Sequence, residues 1–229
     1  VLLGVLGEGE LFGEMSIFCD VPRTATVRAE VESELGVIER YRALSVLQER
    51  GDLARALIYR LYITLPKRLR EMNFRYASAL IERPRPIRVG ISPRLERMSP
   101  GEIEGLFGEG RFYPEGEAVI RKGEDGKGLY FVGKGEVEVY DFYEGRPVLL
   151  GVLGEGELFG EMSLIDRSKT SASVISRGAY LKFMPRERFD ELFADPDLSY
   201  RIMSTLCSIM MERIYRLDRL FRLSLKINP

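Results

Sequence analysis

Apolar residues recur every three to four positions in two separate stretches of the chain. The first stripe runs from Leu53 to Met72, and the second lies near the C-terminus. This spacing matches the turn of an α-helix and predicts an interdomain helix within 43–83 and a long helix from Asp195 to Lys226. Pro66 lies inside the first stripe, and we expect it to kink or break that helix because proline removes one backbone donor.

Between Gly110 and Leu153 the pattern changes to short apolar runs separated by glycine. Turn sequences recur at 115–116, 124–126, 133–135 and 144–146. Residues 172–184 supply further alternating runs, and the whole region predicts a small antiparallel barrel or jelly roll.

A long exact repeat divides the chain. Residues 1–16, VLLGVLGEGELFGEMS, recur unchanged as 148–163, at an offset of 148 − 1 = 147. The strand-like sequence before the second copy has no counterpart before the first. Such internal similarity indicates a duplicated unit, whose first copy we expect to be truncated.

Proline-rich sequence separates the two copies. We expect three segments: a first domain over 1–83, a linker over 84–98, and a complete second domain with a long C-terminal helix over 99–229. Ser99-Pro100-Gly101-Glu102 matches a capping box and predicts a short helix over 100–107.

Composition excludes several kinds of site. Lys+Arg 34 against Asp+Glu 35 gives a net charge of −1, so no overall attraction to nucleic acid or to an acidic membrane is expected. The chain contains no histidine, which excludes His-dependent triads, His metal ligands and a His-based pH switch. Two cysteines, Cys19 and Cys207, build no zinc site, and no apolar run approaches the ~20 residues of a membrane span. We expect a reduced, cytoplasmic, non-enzymatic protein without metal or cofactor.

The repeated segment GEGELFGEMS is the best candidate for binding chemistry. Its glycines let a ligand approach the backbone, and a helical turn from Gly160 to Ser163 presents free amides to an anion. Glu161 beside this turn can accept a hydrogen bond from a sugar hydroxyl. In the first copy Arg23 follows Glu14 by nine residues and can neutralise a phosphate. These groups describe a nucleotide clamp without catalytic residues.

The pattern FGE…PRTATV within a predicted barrel resembles the cyclic nucleotide-binding domain family, of the catabolite activator and kinase regulatory subunit type. Supporting residues in the second copy are Gly116, Gly123, Asp125, Tyr130, Gly135, Gly156, Phe159, Gly160 and Glu161. The resemblance implies an α+β fold in which a β jelly-roll barrel is flanked by helices. A partial second copy and long connecting and C-terminal helices complete that fold.

The family's phosphate-binding cassette can be carried onto both copies. In the first cassette (residues 11–24) the resemblance implies ligand binding by Gly13, Glu14, Met15, Ser16, Arg23 and Thr24. In the second cassette (residues 158–171) the corresponding and neighbouring residues are Phe159, Gly160, Glu161, Met162, Ser163, Lys169, Thr170 and Ser171. Thr170 occupies the arginine position there, and Lys169 or Arg167 would replace an arginine only in part. We therefore expect a competent first site and a degenerate second site that is empty or takes a less charged ligand, such as a nucleoside.

The resemblance implies a regulatory sensor of cyclic AMP or cyclic GMP. Thr24 leaves both nucleotides open, with cyclic AMP ahead. Family members dimerise through the C-terminal helix, which implies a homodimer and an unidentified protein effector. Two alternatives remain: a dimerising scaffold whose barrel binds nothing, and a transcription regulator that lacks its DNA-binding part in this chain. Because no helix-turn-helix follows the long helix, we expect no DNA binding, and no membrane partner is expected.

Overall fold

Seven α-helices and one short 3₁₀ turn lie in the part of the chain described here. The computed structural model describes residues 5–19, 21, 23, 25–79 and 95–227. The helices are α1 (Glu14–Phe18), α2 (Arg40–Glu49), α3 (Asp52–Ala79), α4 (Pro100–Glu104), α5 (Glu161–Ile165), α6 (Arg186–Glu191) and α7 (Pro196–Ile227), with the 3₁₀ turn at Leu192–Ala194. Among these helices, none combines the length and apolar character that crossing a bilayer requires. The predicted linker over 84–98 lies outside the described residues except for 95–98.

The described strands form two antiparallel sheets of four strands each. They are β1 (Gly110–Tyr113), β2 (Ala118–Ile120), β3 (Gly128–Lys134), β4 (Val137–Tyr143), β5 (Arg146–Leu153), β6 (Leu158–Phe159), β7 (Ser173–Ser176) and β8 (Ala179–Pro185). Their order is β1-β8-β3-β6 in one sheet and β2-β7-β4-β5 in the other. Buried side chains from both sheets, including Val132, Val137 and Leu181, form one cluster between them. The predicted mixture of helices and antiparallel strands is confirmed, but the described strands form two sheets rather than a closed barrel.

Helices α3 and α7 pack along each other and carry most of the helical core. Ile58 and Leu65 of α3 and Leu206 and Met210 of α7 are almost fully buried. α3 continues through Pro66, so the expected break is wrong. The proline removes one backbone hydrogen bond, but Pro66 is itself buried. Burial of a long apolar face stabilises the helix by more than that loss, because tertiary packing supplies most helical stability.

The helix ends follow the expected capping chemistry. The Ser99 hydroxyl accepts a hydrogen bond from the Glu102 amide at 3.3 Å, and the Glu102 carboxylate accepts one from the Ser99 amide at 2.8 Å. This reciprocal bonding lowers the pKa of Glu102 to about 2. The capping box is confirmed, although α4 ends at Glu104 rather than at residue 107. Asp195 caps α7 by accepting from the amides of Asp197 and Leu198.

The two predicted domains share one hydrophobic core. Phe18 and Cys19 at the end of α1 are buried, and the Cys19 Sγ lies 3.8 Å from the Met211 Sδ of α7. Leu95 and Met98, at the end of the predicted linker, join the same cluster. Segment 1–83 therefore packs directly against the helix that follows the second set of strands.

We predict that truncating Leu65 destabilises the chain strongly. Leu65 is 0% exposed, and Leu65→Ala should lower the free energy of unfolding by about 2–5 kcal/mol, because the lost contacts leave a cavity. Leu53→Ala, on the same helix but 65% exposed, should change it by less than about 1 kcal/mol. Urea unfolding followed by circular dichroism measures both. Equal effects would contradict burial of α3 against α7.

Candidate functional site

A glycine in the left-handed conformation opens the helical turn of the second copy. Gly160 has φ 90° and ψ −6°, and a Cβ atom there would lie 2.6 Å from the Gly128 carbonyl oxygen. Both the backbone angle and the close approach therefore require glycine. The Ser163 hydroxyl donates to the Gly160 carbonyl at 3.2 Å. Phe159, just before the glycine, stacks on Tyr130 with ring centroids 4.9 Å apart.

The first copy builds the same turn. Gly13 has φ 85° and ψ 2° before α1, and the Ser16 hydroxyl donates to the Gly13 carbonyl at 2.9 Å. Met15 and, in the second copy, Met162 are each 9% exposed and face the helical core. The identical sequences of the two copies thus give matching local structures.

Each turn holds a buried carboxylate against an arginine from a long helix. Glu161 is 2% exposed, and its carboxylate accepts a hydrogen bond from Arg213 of α7 at 2.6 Å. Arg213 also donates to the Leu158 carbonyl. A buried carboxylate requires such a partner, since desolvation of an unpaired charge costs several kcal/mol.

The first copy repeats this pairing with α3. Arg68 donates to the carboxylate of Glu14 and to the carbonyl of Leu11. Glu14 is 7% exposed, and its second oxygen, Oε2, has no hydrogen-bond partner among the described residues. This unpartnered acceptor distinguishes the first turn as a place where a donor group can bind.

Arg23 lies directly beside the first turn. Its Nη1 donates to the Gly13 carbonyl at 3.4 Å, and a Cβ atom on Gly13 would lie 2.5 Å from that nitrogen. The side chain is exposed and makes no ion pair with the described residues. Its guanidinium is thus available to an anion at the turn. Thr24, predicted beside it, lies outside the described residues.

In the second copy Thr170 stands at the position of Arg23, and the cation beside the turn is Arg186, whose Nη2 donates to the Ser163 carbonyl at 3.1 Å. The Thr170 hydroxyl donates to the Arg121 carbonyl at 2.6 Å, and the Glu124 carbonyl lies 3.2 Å away. Lys169 pairs with Asp125 at 2.6 Å on the exposed surface. Arg167 pairs at 3.0 Å with the carboxylate of Asp190 in α6. Lys169 and Arg167, the two residues that could replace an arginine, are therefore both paired with carboxylates. Ser171 Oγ lies 3.9 Å from the Met162 sulfur.

A cavity of about 90 Å³ adjoins the second turn and opens partly to solvent. Its wall includes the second turn and strand residues of the β2-β7-β4-β5 sheet. Polar side chains reach it from both long helices, namely Asn73 of α3 and Arg213 and Arg216 of α7.

Comparison with known proteins identifies the family of this arrangement. The model of the cyclic nucleotide-binding domain matches residues 1–50 and 110–195, more than half of the chain. The chain belongs to the cyclic nucleotide-binding domain family. The matched residues include the turns of both cassettes, so the sequence-based resemblance is confirmed.

Curated relatives of this family member are regulatory proteins and kinases. It is 30% identical over 175 residues to a cAMP-dependent protein kinase regulatory subunit of Mycosarcoma maydis, covering 76% of the chain and 28% of that protein. It is 26% identical over 198 residues to the cGMP-dependent protein kinase egl-4 of Caenorhabditis elegans, covering 85% and 22%. It is 36% identical over 88 residues to the cyclic AMP receptor protein of Thermus thermophilus, covering 37% and 41%. The chain thus spans less than half the length of these relatives.

Three arginines that contact the cassettes were not predicted from the sequence. Arg68 and Arg213 occupy corresponding helix positions at an offset of 213 − 68 = 145, close to the 147 of the repeat. Aligning the two long helices at that offset would have found them. Arg70 binds Asp166 of the second cassette through Nε at 2.8 Å and Nη2 at 3.0 Å. This contact joins α3, which follows the first cassette, to the second cassette. No pattern of neighbouring residues in the sequence predicts it.

Neither thiol nor carboxylate chemistry adds a further site in this family member. Burial raises the pKa of the Cys19 thiol to about 12 and also raises that of Cys207. Protonated, buried thiols are poor nucleophiles. The described residues contain no group of three or more Cys, Asp or Glu side chains placed to hold a metal ion.

We predict that removing Arg213 destabilises the second cassette through its buried partner. Arg213→Leu leaves Glu161 uncompensated and should lower the free energy of unfolding by about 3–5 kcal/mol. Adding Glu161→Gln removes the charge and should restore part of that loss. A double-mutant cycle in urea measures the coupling. Additive effects of the two substitutions would contradict this pairing.

Proposed function

We propose that the chain is a non-catalytic regulatory sensor of a cyclic nucleotide, with a competent first cassette and a degenerate second one. The observation that carries the proposal is Arg23, whose guanidinium lies beside the Gly13 turn and makes no described ion pair. The names of the relatives, a cAMP-dependent and a cGMP-dependent kinase system, support either cyclic nucleotide as the ligand.

Each group of the first cassette has a role in this proposal. Arg23 neutralises the cyclic phosphate with charge-assisted hydrogen bonds. The unpartnered oxygen of Glu14 accepts a hydrogen bond from a ribose hydroxyl. Gly13, Met15 and Ser16 shape the turn around the phosphate, and Thr24 contacts the base. Cyclic AMP is favoured over cyclic GMP.

Within residues 158–171 the second cassette offers no unpaired arginine to a cyclic phosphate. Thr170 stands at the arginine position and donates to backbone carbonyls, while Lys169 is engaged with Asp125. The repeated glycine turn and the Glu161–Arg213 pair then act mainly to stabilise the fold of this cassette. We therefore propose that the second cassette binds a cyclic nucleotide only weakly through its phosphate.

Helix α3 is the element that couples the two cassettes. Arg68 binds the first cassette at Glu14, and Arg70 binds the second at Asp166. Residues two apart on a helix lie about 200° apart around its axis, so the two arginines face opposite ways. A ligand that binds the free oxygen of Glu14 and moves this residue carries Arg68 and α3 with it, and Arg70 passes that shift to the second cassette.

Oligomer, effector and location belong to the same proposal. Met203, Leu206, Met210, Leu217 and Leu220, the stripe predicted for a dimer seam, are each at most 7% exposed within this one chain. A homodimer through α7 would therefore use another face of the helix. We also propose that the protein lies in the cytoplasm and acts on a protein effector. The strands are proposed to form a jelly roll. All three properties agree with a regulatory member of the family. Ligand binding distinguishes this proposal from the scaffold alternative, in which the barrel binds nothing.

We predict that Arg23→Ala strongly weakens cyclic AMP binding. Isothermal titration of the folded chain should give about one cyclic AMP site per chain. The alanine variant should bind at least tenfold more weakly, because a charged hydrogen bond contributes roughly 1.5–3 kcal/mol. Arg28→Ala removes a nearby exposed arginine and should leave the affinity unchanged. No binding by the folded wild type would favour the scaffold instead.

We predict that Arg70→Ala uncouples the cassettes. In the wild type, cyclic AMP should change amide hydrogen exchange in both α1 and α5. In Arg70→Ala the change in α5 should fall while that in α1 stays, since only the link to Asp166 is lost. Arg60→Ala, an exposed arginine of the same helix, is the matched control. An unchanged α5 response in Arg70→Ala would contradict α3 as the coupling element.

A further inference from the structure

The outward face of α3 carries apolar side chains that remain exposed in the described chain. Tyr59, Ile63 and Phe74 are 53%, 37% and 61% exposed, whereas Ile58 and Leu65 on the opposite side are buried in the core shared with α7. The outward face of a helix in a globular protein is normally polar. Exposed apolar groups that share one face therefore mark an interaction surface.

Helix α7 offers no comparable face. None of its residues from 199 to 218 is exposed, and the exposed side chains among its described residues lie near its two ends. Helix α3, of 28 residues, is the other long helix in the described part of the chain. The homodimer included in the proposed function therefore fits α3 better than α7.

Six exposed residues of α3 form one continuous strip. They recur at intervals of three or four residues, so they lie on one face of the helix. We call them the α3 strip: Ala56, Arg60, Ile63, Lys67, Glu71 and Phe74. At 1.5 Å per residue the strip is about 27 Å long. A second helix can therefore contact it over several turns.

The α3 strip complements itself when a second chain runs antiparallel to it. Residues equally far from a midpoint near residue 65 then face each other. Ala56 meets Phe74 of the second chain, so a small side chain faces a large one. Ile63 meets Lys67 of the second chain, whose methylene stem can cover an apolar side chain while its ammonium group stays in water. Side chains of the strip are thus matched in size across such a pair.

The charges of the strip are complementary in the same arrangement. Arg60 lies five residues before residue 65 and Glu71 lies six after it, so each meets the other across the pair. Neither side chain makes an ion pair with a described residue. Within one chain they are separated by about 16 Å along the helix and cannot pair with each other. Two antiparallel chains therefore form two equivalent Arg60–Glu71 pairs, as twofold symmetry requires.

Two residues of the α3 strip also make contacts within the chain, and these leave their outward sides open. The Lys67 Nζ lies 3.3 Å from the Glu10 carboxylate, but the Lys67 side chain is 65% exposed. The Phe74 ring is tilted against Tyr143 of β4, with ring centroids 6.1 Å apart. The ring's exposed side remains free to pack on a second chain.

We propose that two chains associate through the α3 strip, as an antiparallel helix pair with its twofold axis near residue 65. The inference rests on the proposed function only for the expectation of a homodimer, which it places on α3. On the same helix Arg68 binds the first cassette and Arg70 binds the second. The dimer contact therefore lies on the element that joins the two cassettes.

A charge exchange in the full chain tests the pairing directly. Sedimentation equilibrium measures the dimer dissociation constant. Glu71→Arg and Arg60→Glu should each raise it at least tenfold, because each places like charges together at two symmetric positions. The double variant Arg60→Glu/Glu71→Arg restores both pairs and should return the constant to within about threefold of the wild type. Glu187→Arg makes the same charge change on an exposed residue of α6 and should have no effect.

A second pair of variants tests the centre of the strip. Ile63→Lys places a lysine opposite Lys67 of the second chain and should weaken the dimer at least tenfold. Val31→Lys makes the same change at a residue that is 75% exposed outside α3, and should leave the dimer unchanged. Circular dichroism and thermal melting check that each variant is folded.

Three results would overturn the inference. The first is a wild-type chain that stays monomeric at every concentration. The second is a dimer that neither Glu71→Arg nor Ile63→Lys weakens, which would place the contact elsewhere. The third is a double variant as weak as the single ones, which would contradict the antiparallel pairing.

Isothermal titration with cyclic AMP separates this inference from the sensor proposal. A monomeric wild type that binds cyclic AMP would overturn the inference and leave the sensor standing. A dimer that responds to the charge exchange as expected, in a chain that binds no cyclic nucleotide, would support the inference and contradict the sensor.

Discussion

A carboxylate buried at each cassette turn requires a cation, and that cation is supplied by a long helix. Glu161 is paired with Arg213 of α7, and Glu14 with Arg68 of α3. Each arginine also donates to the carbonyl three residues before the carboxylate. Breaking such a buried pair costs several kcal/mol, whereas moving both partners together costs little. The turn and its helix therefore move as one unit, and the position of the helix reports the state of the turn.

This constraint accompanies a hydrophobic core that described residues of both copies share. α3 belongs to the first copy by sequence, yet Arg70 fixes it to the second cassette and Asn73 lines the second cavity. α7 in turn contacts the end of α1 through Met211 and Cys19. Each long helix thus touches both cassettes, which is the arrangement that the proposed coupling needs. Coupling of this kind needs no dedicated pathway, only two rigid helices with contacts at both ends.

Features set by neighbouring residues could be predicted from the sequence, and features set by distant ones could not. The turn at Gly160, the capping box at Ser99 and the α7 start at Asp195 depend on a few adjacent residues, and the structure has all three. The break expected at Pro66 is wrong, because burial of the apolar face of α3 outweighs the local effect of the proline. The partners Arg68 and Arg213 were missed because an arginine on an amphipathic helix has no local mark of the carboxylate it will meet.

The same constraint permits the two cassettes to differ in what they bind. Since the carboxylate–arginine pair and the glycine turn hold the local structure, the phosphate position can change without loss of fold. Thr170 illustrates this, because its hydroxyl takes backbone carbonyls as acceptors where an arginine would have needed an anion. The first cassette keeps Arg23 beside its turn, so one duplicated structure carries different charges at its two phosphate positions.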